Sequence, residues 1–163
     1  MWMYSLGEAL QKPDAAQFLR IDYAEEKQGW ASLTQLPFLR HLHVCNFPSE
    51  AFGAEWPALP QLETLQIEKA LLTALPPAFL QCPQLRACTI LETPLQCLPA
   101  QIRQWKSLEK LQIQQTDLSC LPEEITHLTQ LKVLDVAHNQ LTYLPASLHK
   151  LRHLNNLAIE IMP

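Results

Sequence analysis

The sequence predicts an α/β solenoid, in which each repeat adds one short strand to a parallel sheet and returns through a loop or helical turn. Three observations carry that prediction. Leu39, Leu62, Leu85, Leu108, Leu131 and Leu154 stand 23 residues apart without an insertion. With each leucine as position 1, position 4 reads Leu42, Leu65, Cys88, Leu111, Leu134, Leu157, and position 6 reads Val44, Ile67, Ile90, Ile113, Val136, Ile159. Punctuation recurs too: position 15 reads Gly53, Pro76, Pro99, Pro122, Pro145.

Each element follows from this register. Positions 4 and 6 are two apart, so on an extended strand both point to one face. No single repeat can bury that face, and stacking makes one continuous core. Position 14 (Phe52, Leu75, Leu98, Leu121, Leu144) and position 18 (Trp56, Phe79, Ile102, Ile125, Leu148) supply apolar residues on the return path. Pro at position 15 is expected to begin a helical turn, where its missing N–H costs nothing. Toward the N-terminus the register continues from Ala16 with Leu19, Ile21, Leu33 and Leu36. Ahead of it, Ser5 and Glu8 read as a capping box for a helix from Leu6 to Lys12, stopped by Pro13. With Trp2 and Tyr4, that helix is expected to cover the first repeat. The expected organisation is an N-terminal capping helix at 1–15, then about seven 23-residue repeats over 16–163, the last incomplete. The sequence ends LAIEIMP, so an open apolar edge near Leu157, Ile159 and Ile161, prone to self-association, is also expected.

The segment LKVLDVAHNQLTYLP, residues 131–145, resembles the leucine-rich repeat pattern LxxLxLxxNxLxxLP, and the likeness runs over about residues 16–161. The spacing and the LPxxI segments are similar to intracellular and bacterial members of that family. The resemblance implies a curved, right-handed solenoid, with the sheet on the concave face and loops and short helical turns on the convex face. In the family, position 9 is usually Asn, whose amide satisfies backbone groups inside the turn. Here only Asn139 fits, while Thr93 and Thr116 offer a hydroxyl. Ala24, Phe47 and Ala70 offer nothing, so water is the expected substitute at those turns. The resemblance also implies a function: a protein–protein interaction module that binds a partner protein on its concave face, without catalysis of its own. The alternatives are a substrate-recognition fragment of a larger effector or signalling enzyme, a metal-dependent or redox protein using His41, His43 and Cys45, and a self-associating structural protein.

Composition narrows the partners. The 163 residues suit one domain, and 12 Lys+Arg against 16 Asp+Glu leave a net charge of −4. That balance advertises neither nucleic-acid nor anionic-membrane binding. No apolar run approaches the roughly 18 residues of a membrane span. The opening MWMYSLGEALQKPDAAQ has no basic region followed by an apolar stretch, which points to a cytoplasmic protein or an exported effector without a secretory signal. Five cysteines without a CxxC pair favour free thiols over a disulfide framework. GxSxG, HExxH, P-loop and dinucleotide fingerprints are absent, so no catalytic residue and no cofactor is expected.

The outward strand positions 2, 3, 5, 7 and 8 are expected to form the concave surface. Position 2 reads Arg40, Glu63, Arg86, Glu109, Lys132, an alternating ladder that neutralises itself. The patch expected to touch a partner is Lys110, Gln112, Val133, Asp135 and His138, with His41 and His43 at the other end. The face reads as polar and short of aromatics, since Trp56 and Trp105 fall in core positions and Tyr143 lies off the strands. In HLHVC, His41, His43 and Cys45 alternate as zinc ligands do on a strand. The same alternation is required by the inward Leu42 and Val44, so no metal site is expected there. Cys97 and Cys120 share position 13 in successive repeats, within disulfide reach, and read as semi-buried free thiols. Cys82 and Cys88 read as small core residues. His149 and His153 lack the Glu and the third ligand of a zinc hydrolase.

Overall fold

The computed structural model describes residues 1–23, 30–48 and 56–162. Ala24, Phe52 and Gly53 lie outside these residues. Among these residues eight strands form a single parallel sheet in chain order, β1 to β8. They are β1 (Trp2–Met3), β2 (Phe18–Asp22), β3 (His41–Cys45), β4 (Thr64–Glu68), β5 (Ala87–Leu91), β6 (Lys110–Gln114), β7 (Val133–Val136) and β8 (Asn156–Ile159). One α-helix, α1 (Leu6–Gln11), lies between β1 and β2.

Pairing keeps the repeat register. Leu19, Leu42, Leu65, Cys88, Leu111, Leu134 and Leu157 are successive partners, as are Ile21, Val44, Ile67, Ile90 and Ile113. The side chains at positions 1, 4 and 6 from Leu39 to Val136 are buried in one continuous core. Burying a Leu or Ile stabilises the fold by about 1.5–3 kcal/mol, so the repeated column outweighs any single surface contact. Leu157 is the exception at 48% exposure, while Ile159 packs partly against the core and Ile161 is exposed. No described helix is long and apolar enough to cross a membrane.

The return path consists of short 3₁₀ turns, including Pro77–Leu80, Ala100–Gln104, Glu123–His127 and Leu148–Lys150. Phe79, Ile102 and Ile125, at position 18, project from them into the core. Pro99 and Pro122 sit one place before the turn, in extended conformation at the N-cap, rather than opening it as expected. The locked φ of proline serves there to end the extended segment.

The N-terminal cap has more parts than a helix. Ser5 Oγ accepts from the Glu8 N–H at 3.0 Å, and Glu8 Oε2 accepts from the Tyr4 N–H at 3.3 Å. The reciprocal half of the capping box thus falls one residue earlier than the standard box places it. The helix ends at Gln11, and Pro13–Ala15 forms a 3₁₀ turn. Met3, Leu6 and Ala9 cover the first repeat, whereas Trp2 and Tyr4 remain exposed.

The turns after the strands correct one expectation. Asn139 Nδ2 donates to the carbonyls of Val136 (2.8 Å), Ala137 (3.1 Å) and, one repeat back, Ile113 (2.7 Å). Its Oδ1 accepts from the Thr116 N–H at 3.3 Å and from the Thr116 hydroxyl. Thr93 acts likewise: its hydroxyl accepts from the Ala70 N–H at 3.3 Å and donates to the Leu91 carbonyl at 3.0 Å. Ala70 therefore needs no water, because the position-9 side chain of the following repeat serves it. Phe47 fills its turn with a ring. Trp30, Phe47, Trp56 and Phe79 form a buried aromatic cluster, with Trp30 4.5 Å from Phe47 and Trp56 4.2 Å from Phe79 between ring centres.

Candidate functional site

Backbone geometry decides which side chains face outward. Asn46, Lys69, Glu92, Gln115 and His138, all at position 8, have φ between 48° and 58°. This left-handed conformation is normally glycine's, and a side chain there carries a steric cost. The gain is a longer ladder: the N–H groups of Asn46, Lys69 and Glu92 donate to the carbonyls of Glu68, Leu91 and Gln114 in the next repeat, at 3.0–3.2 Å. The position-8 side chains mark the rim of the concave face, and all five are exposed.

The position-2 ladder behaves as its charges suggest. Arg40 pairs with Glu63 at 2.5 Å, and Glu109 lies 3.6 Å from Arg86 and 2.6 Å from Lys132. The hydrogen bond from Lys132 and its charge hold the Glu109 carboxyl below its usual pKa. These side chains are largely in water, where such pairs contribute little to stability.

The expected partner-facing residues separate into three groups. Lys110 and Val133 are direct cross-strand neighbours, as are Gln112 and Asp135. Asp135 is held by Gln114 Nε2 at 2.7 Å and by the Ala137 N–H at 3.3 Å. His138 stands apart at the rim, its Nδ1 3.3 Å from Glu160 Oε2. His41 and His43 lie three strands away, on β3.

Around β3 the face differs from its expected character. Along position 3 the partners run Trp2, Phe18, His41, Thr64. Trp2 and Phe18 have ring centres 5.5 Å apart, and Phe18 stacks on His41 at 4.3 Å and 10°. His41 Nδ1 and Thr64 Oγ1 are 2.8 Å apart. The expectation of a face short of aromatics therefore holds from β4 to β8 and fails at β1 and β2. One signal bears on this. Extending the register to the Ala16 copy places Phe18 and Arg20 at positions 3 and 5. Trp2 follows from no period, because β1 joins β2 through the short helix rather than through a repeat.

Beside this stack, Trp2, Tyr4, Arg20, His43 and Gln66 line a concavity of about 390 Å³. His43 Nε2 lies 3.1 Å from Glu68 Oε2. Burial keeps both His41 and His43 below the ordinary histidine pKa, with the Glu68 hydrogen bond opposing it at His43. Burial thus favours the uncharged form of the His43 imidazole beside Glu68.

Cys45 corrects a second expectation. It is 2% exposed and does not join the open surface with His41 and His43. Its thiol donates to the Ile21 carbonyl at 3.4 Å and receives an Arg20 N–H at 3.7 Å. Burial pushes the thiol pKa up, with the Arg20 hydrogen bond opposing. Among the described residues no group of three or more His, Cys, Asp or Glu side chains could hold a metal ion. Cys97 is exposed, Cys120 half-buried, and both are free thiols. Cys82 and Cys88 are buried.

A parallel-sheet repeat solenoid with one open, in-register face of side chains is the class of protein that this fold and face define. No family model matches the chain, and no curated protein matches it. Among solved structures the chain is similar to a leucine-rich repeat protein of Leptospira interrogans, at 29% identity and a TM-score of 0.88 over 96% of this chain and 40% of that one. It is also similar to the leucine-rich repeat domain of the type III effector XopL, at 20% identity and a TM-score of 0.66 over 97% of this chain and 67% of that one. A third likeness is to the Toll–Spätzle complex of Drosophila, at 21% identity and a TM-score of 0.68 over 89% of this chain and 20% of that one. The chain has the leucine-rich repeat fold, and it spans 40% of the length of the Leptospira protein.

Proposed function

We propose that the chain is a recognition module that binds a partner protein across its concave face and performs no catalysis of its own. The observation that supports this most is the unbroken register from β2 to β8, which holds positions 3 and 5 of every strand as one contiguous, rigid surface. A partner would meet His41 and His43 at one end and Lys110, Gln112, Val133 and Asp135 toward the other, with His138 at the rim. The Toll–Spätzle likeness is a likeness to a complex of two proteins, which agrees with this reading. Coverage of only part of the Leptospira protein favours a second, compatible reading: a recognition segment within a longer effector or signalling protein. Cytoplasm, or a cell into which the protein is exported, is the compartment that this reading assigns.

Photo-cross-linking tests the proposal. A photoreactive amino acid is placed at Gln66 or Gln112 on the concave face, and at Arg103 or Gln130 on the convex side. In lysate of the source cell, the concave positions are expected to capture one and the same protein that the convex positions do not. Equal capture from both faces, or capture from the convex side alone, refutes the assignment of the face.

A further inference from the structure

We infer that the concavity lined by Trp2, Tyr4 and Arg20 is an anchor subsite for an acidic side chain in an extended segment of the partner protein. A neighbouring apolar residue of that segment packs on the Trp2 and Phe18 rings. This inference deepens the recognition reading above and rests on it.

The charge argument starts from Arg20. Arg40, Arg86 and Lys132 in the position-2 ladder, and Lys69 at the rim, all have a glutamate within 4.0 Å. Arg20 is exposed and has no ion-pair partner among the described residues; its guanidinium donates to the Cys45 thiol. The two acidic side chains closest in register are already engaged. Asp22 accepts from Asn46 Nδ2 at 2.8 Å, and Glu68 is bonded to His43. A guanidinium with free donors in the lining of a concavity presents a planar fork that fits a carboxylate through two parallel hydrogen bonds. Lys110 also lacks an ion-pair partner among the described residues, but its strand has no aromatic wall and its point charge lacks the fork.

The ring argument is independent of charge. Trp2 is 40% exposed and Tyr4 64% exposed. Trp, Tyr and Arg are the residues over-represented among side chains that dominate binding energy. On this face all three converge at one place.

The flanking charges select the occupant. Asp22 and Glu68 stand on the same face as Arg20, each two positions further along in register. One negative charge against Arg20 is tolerated there, but the nearly doubled charge of a phosphate monoester meets two carboxylates. A nucleic-acid backbone meets them repeatedly. An Asp or Glu beside an aromatic or aliphatic residue is the chemistry that remains.

The test uses a random linear peptide library displayed on phage and panned against the full chain, followed by synthetic copies of the enriched peptides. Enriched peptides are expected to carry Asp or Glu next to an apolar residue. Arg20→Gln is expected to weaken them roughly tenfold or more, Arg20→Lys less, and Lys110→Gln little. Arg20 is exposed, and an unchanged thermal midpoint confirms that each variant is folded. Enriched peptides without an acidic residue, peptides indifferent to Arg20→Gln, or a selection that yields no ligand all overturn the inference. Ligands that shift NMR signals of β5 to β7 alone overturn this subsite and leave the concave-face reading standing. Ligands that shift signals only on the convex side overturn both.

Discussion

Asn139→Ala separates the hydrogen-bonding account of the repeat turns from mere packing. The Asn139 amide is 4% exposed, and its Nδ2 reaches carbonyls in two different repeats. Truncation leaves the Ile113 and Val136 carbonyls and the Thr116 N–H and hydroxyl without these partners. A buried polar group left unmade costs about 1–3 kcal/mol, and the carbonyls can keep a second bond, so the low end applies to each. The sum is about 3–4 kcal/mol, a large share of the roughly 5–15 kcal/mol that holds a domain folded. With a urea slope of about 2 kcal/mol per molar, the midpoint falls by about 1.5–2 M. Thr116→Ala removes one partner and the acceptor of the Leu118 N–H at 3.3 Å, for about 1–1.5 kcal/mol. The double variant is expected to cost clearly less than the sum, because both side chains share one bond. Urea unfolding followed by far-UV circular dichroism measures all three. A midpoint shift under about 0.5 M for Asn139→Ala, with the slope unchanged, means that the amide is not holding the turns together.

Three further outcomes follow from the same geometry. Gln115 is exposed at φ 54°, so Gln115→Val is expected to destabilise by about 1–2 kcal/mol while Gln115→Gly stays near wild type; equal losses in a thermal scan would remove the left-handed strain argument. Because burial lowers the pKa of His41 and His43, the unfolded chain takes up protons first as pH falls. Stability is then full above the ordinary histidine pKa and declines through roughly pH 7 to 5, and a double His41→Gln, His43→Gln variant should flatten that slope in urea midpoints. Under native conditions a thiol reagent should label Cys97 first and Cys120 more slowly, leaving Cys82, whose pKa burial pushes up to about 11, and Cys88 for the unfolded chain; rapid native labelling of Cys88, read by mass spectrometry, contradicts the packing described.

The legible part of the molecule is the part set by period. Leu42 and Val44 had to point inward together, and every later strand repeats that demand, so strand positions, core columns and the self-neutralising charge ladder all follow from spacing. Ser5 and Glu8 announce the capping box because a helix start has few solutions. The position-8 conformation is not legible, since Asn, Lys, Glu, Gln and His have no side-chain chemistry in common and none is the glycine that signals positive φ. The service that Thr93 renders to Ala70 is hidden for another reason: donor and acceptor are 23 residues apart and belong to different repeats.

The candidate site shows the same division. His41, His43, Lys110, Gln112, Val133 and Asp135 were assigned to one face by alternation, and the structure places them on that sheet face. Cys45 obeys the same alternation yet is buried, because Arg20 of the neighbouring strand lies against it. The concavity depends on Trp2, which reaches the sheet through a strand that no repeat predicts.

Sequence alone therefore determined the solenoid, its register and which half of each strand is core, because burial with period two inside a 23-residue repeat admits one stacking. Only the tertiary structure decided where aromatic rings, a guanidinium without an ion-pair partner among the described residues, and engaged carboxylates meet. That meeting depends on how the N-terminal strand docks against the first repeat, a contact between segments that the repeat does not relate.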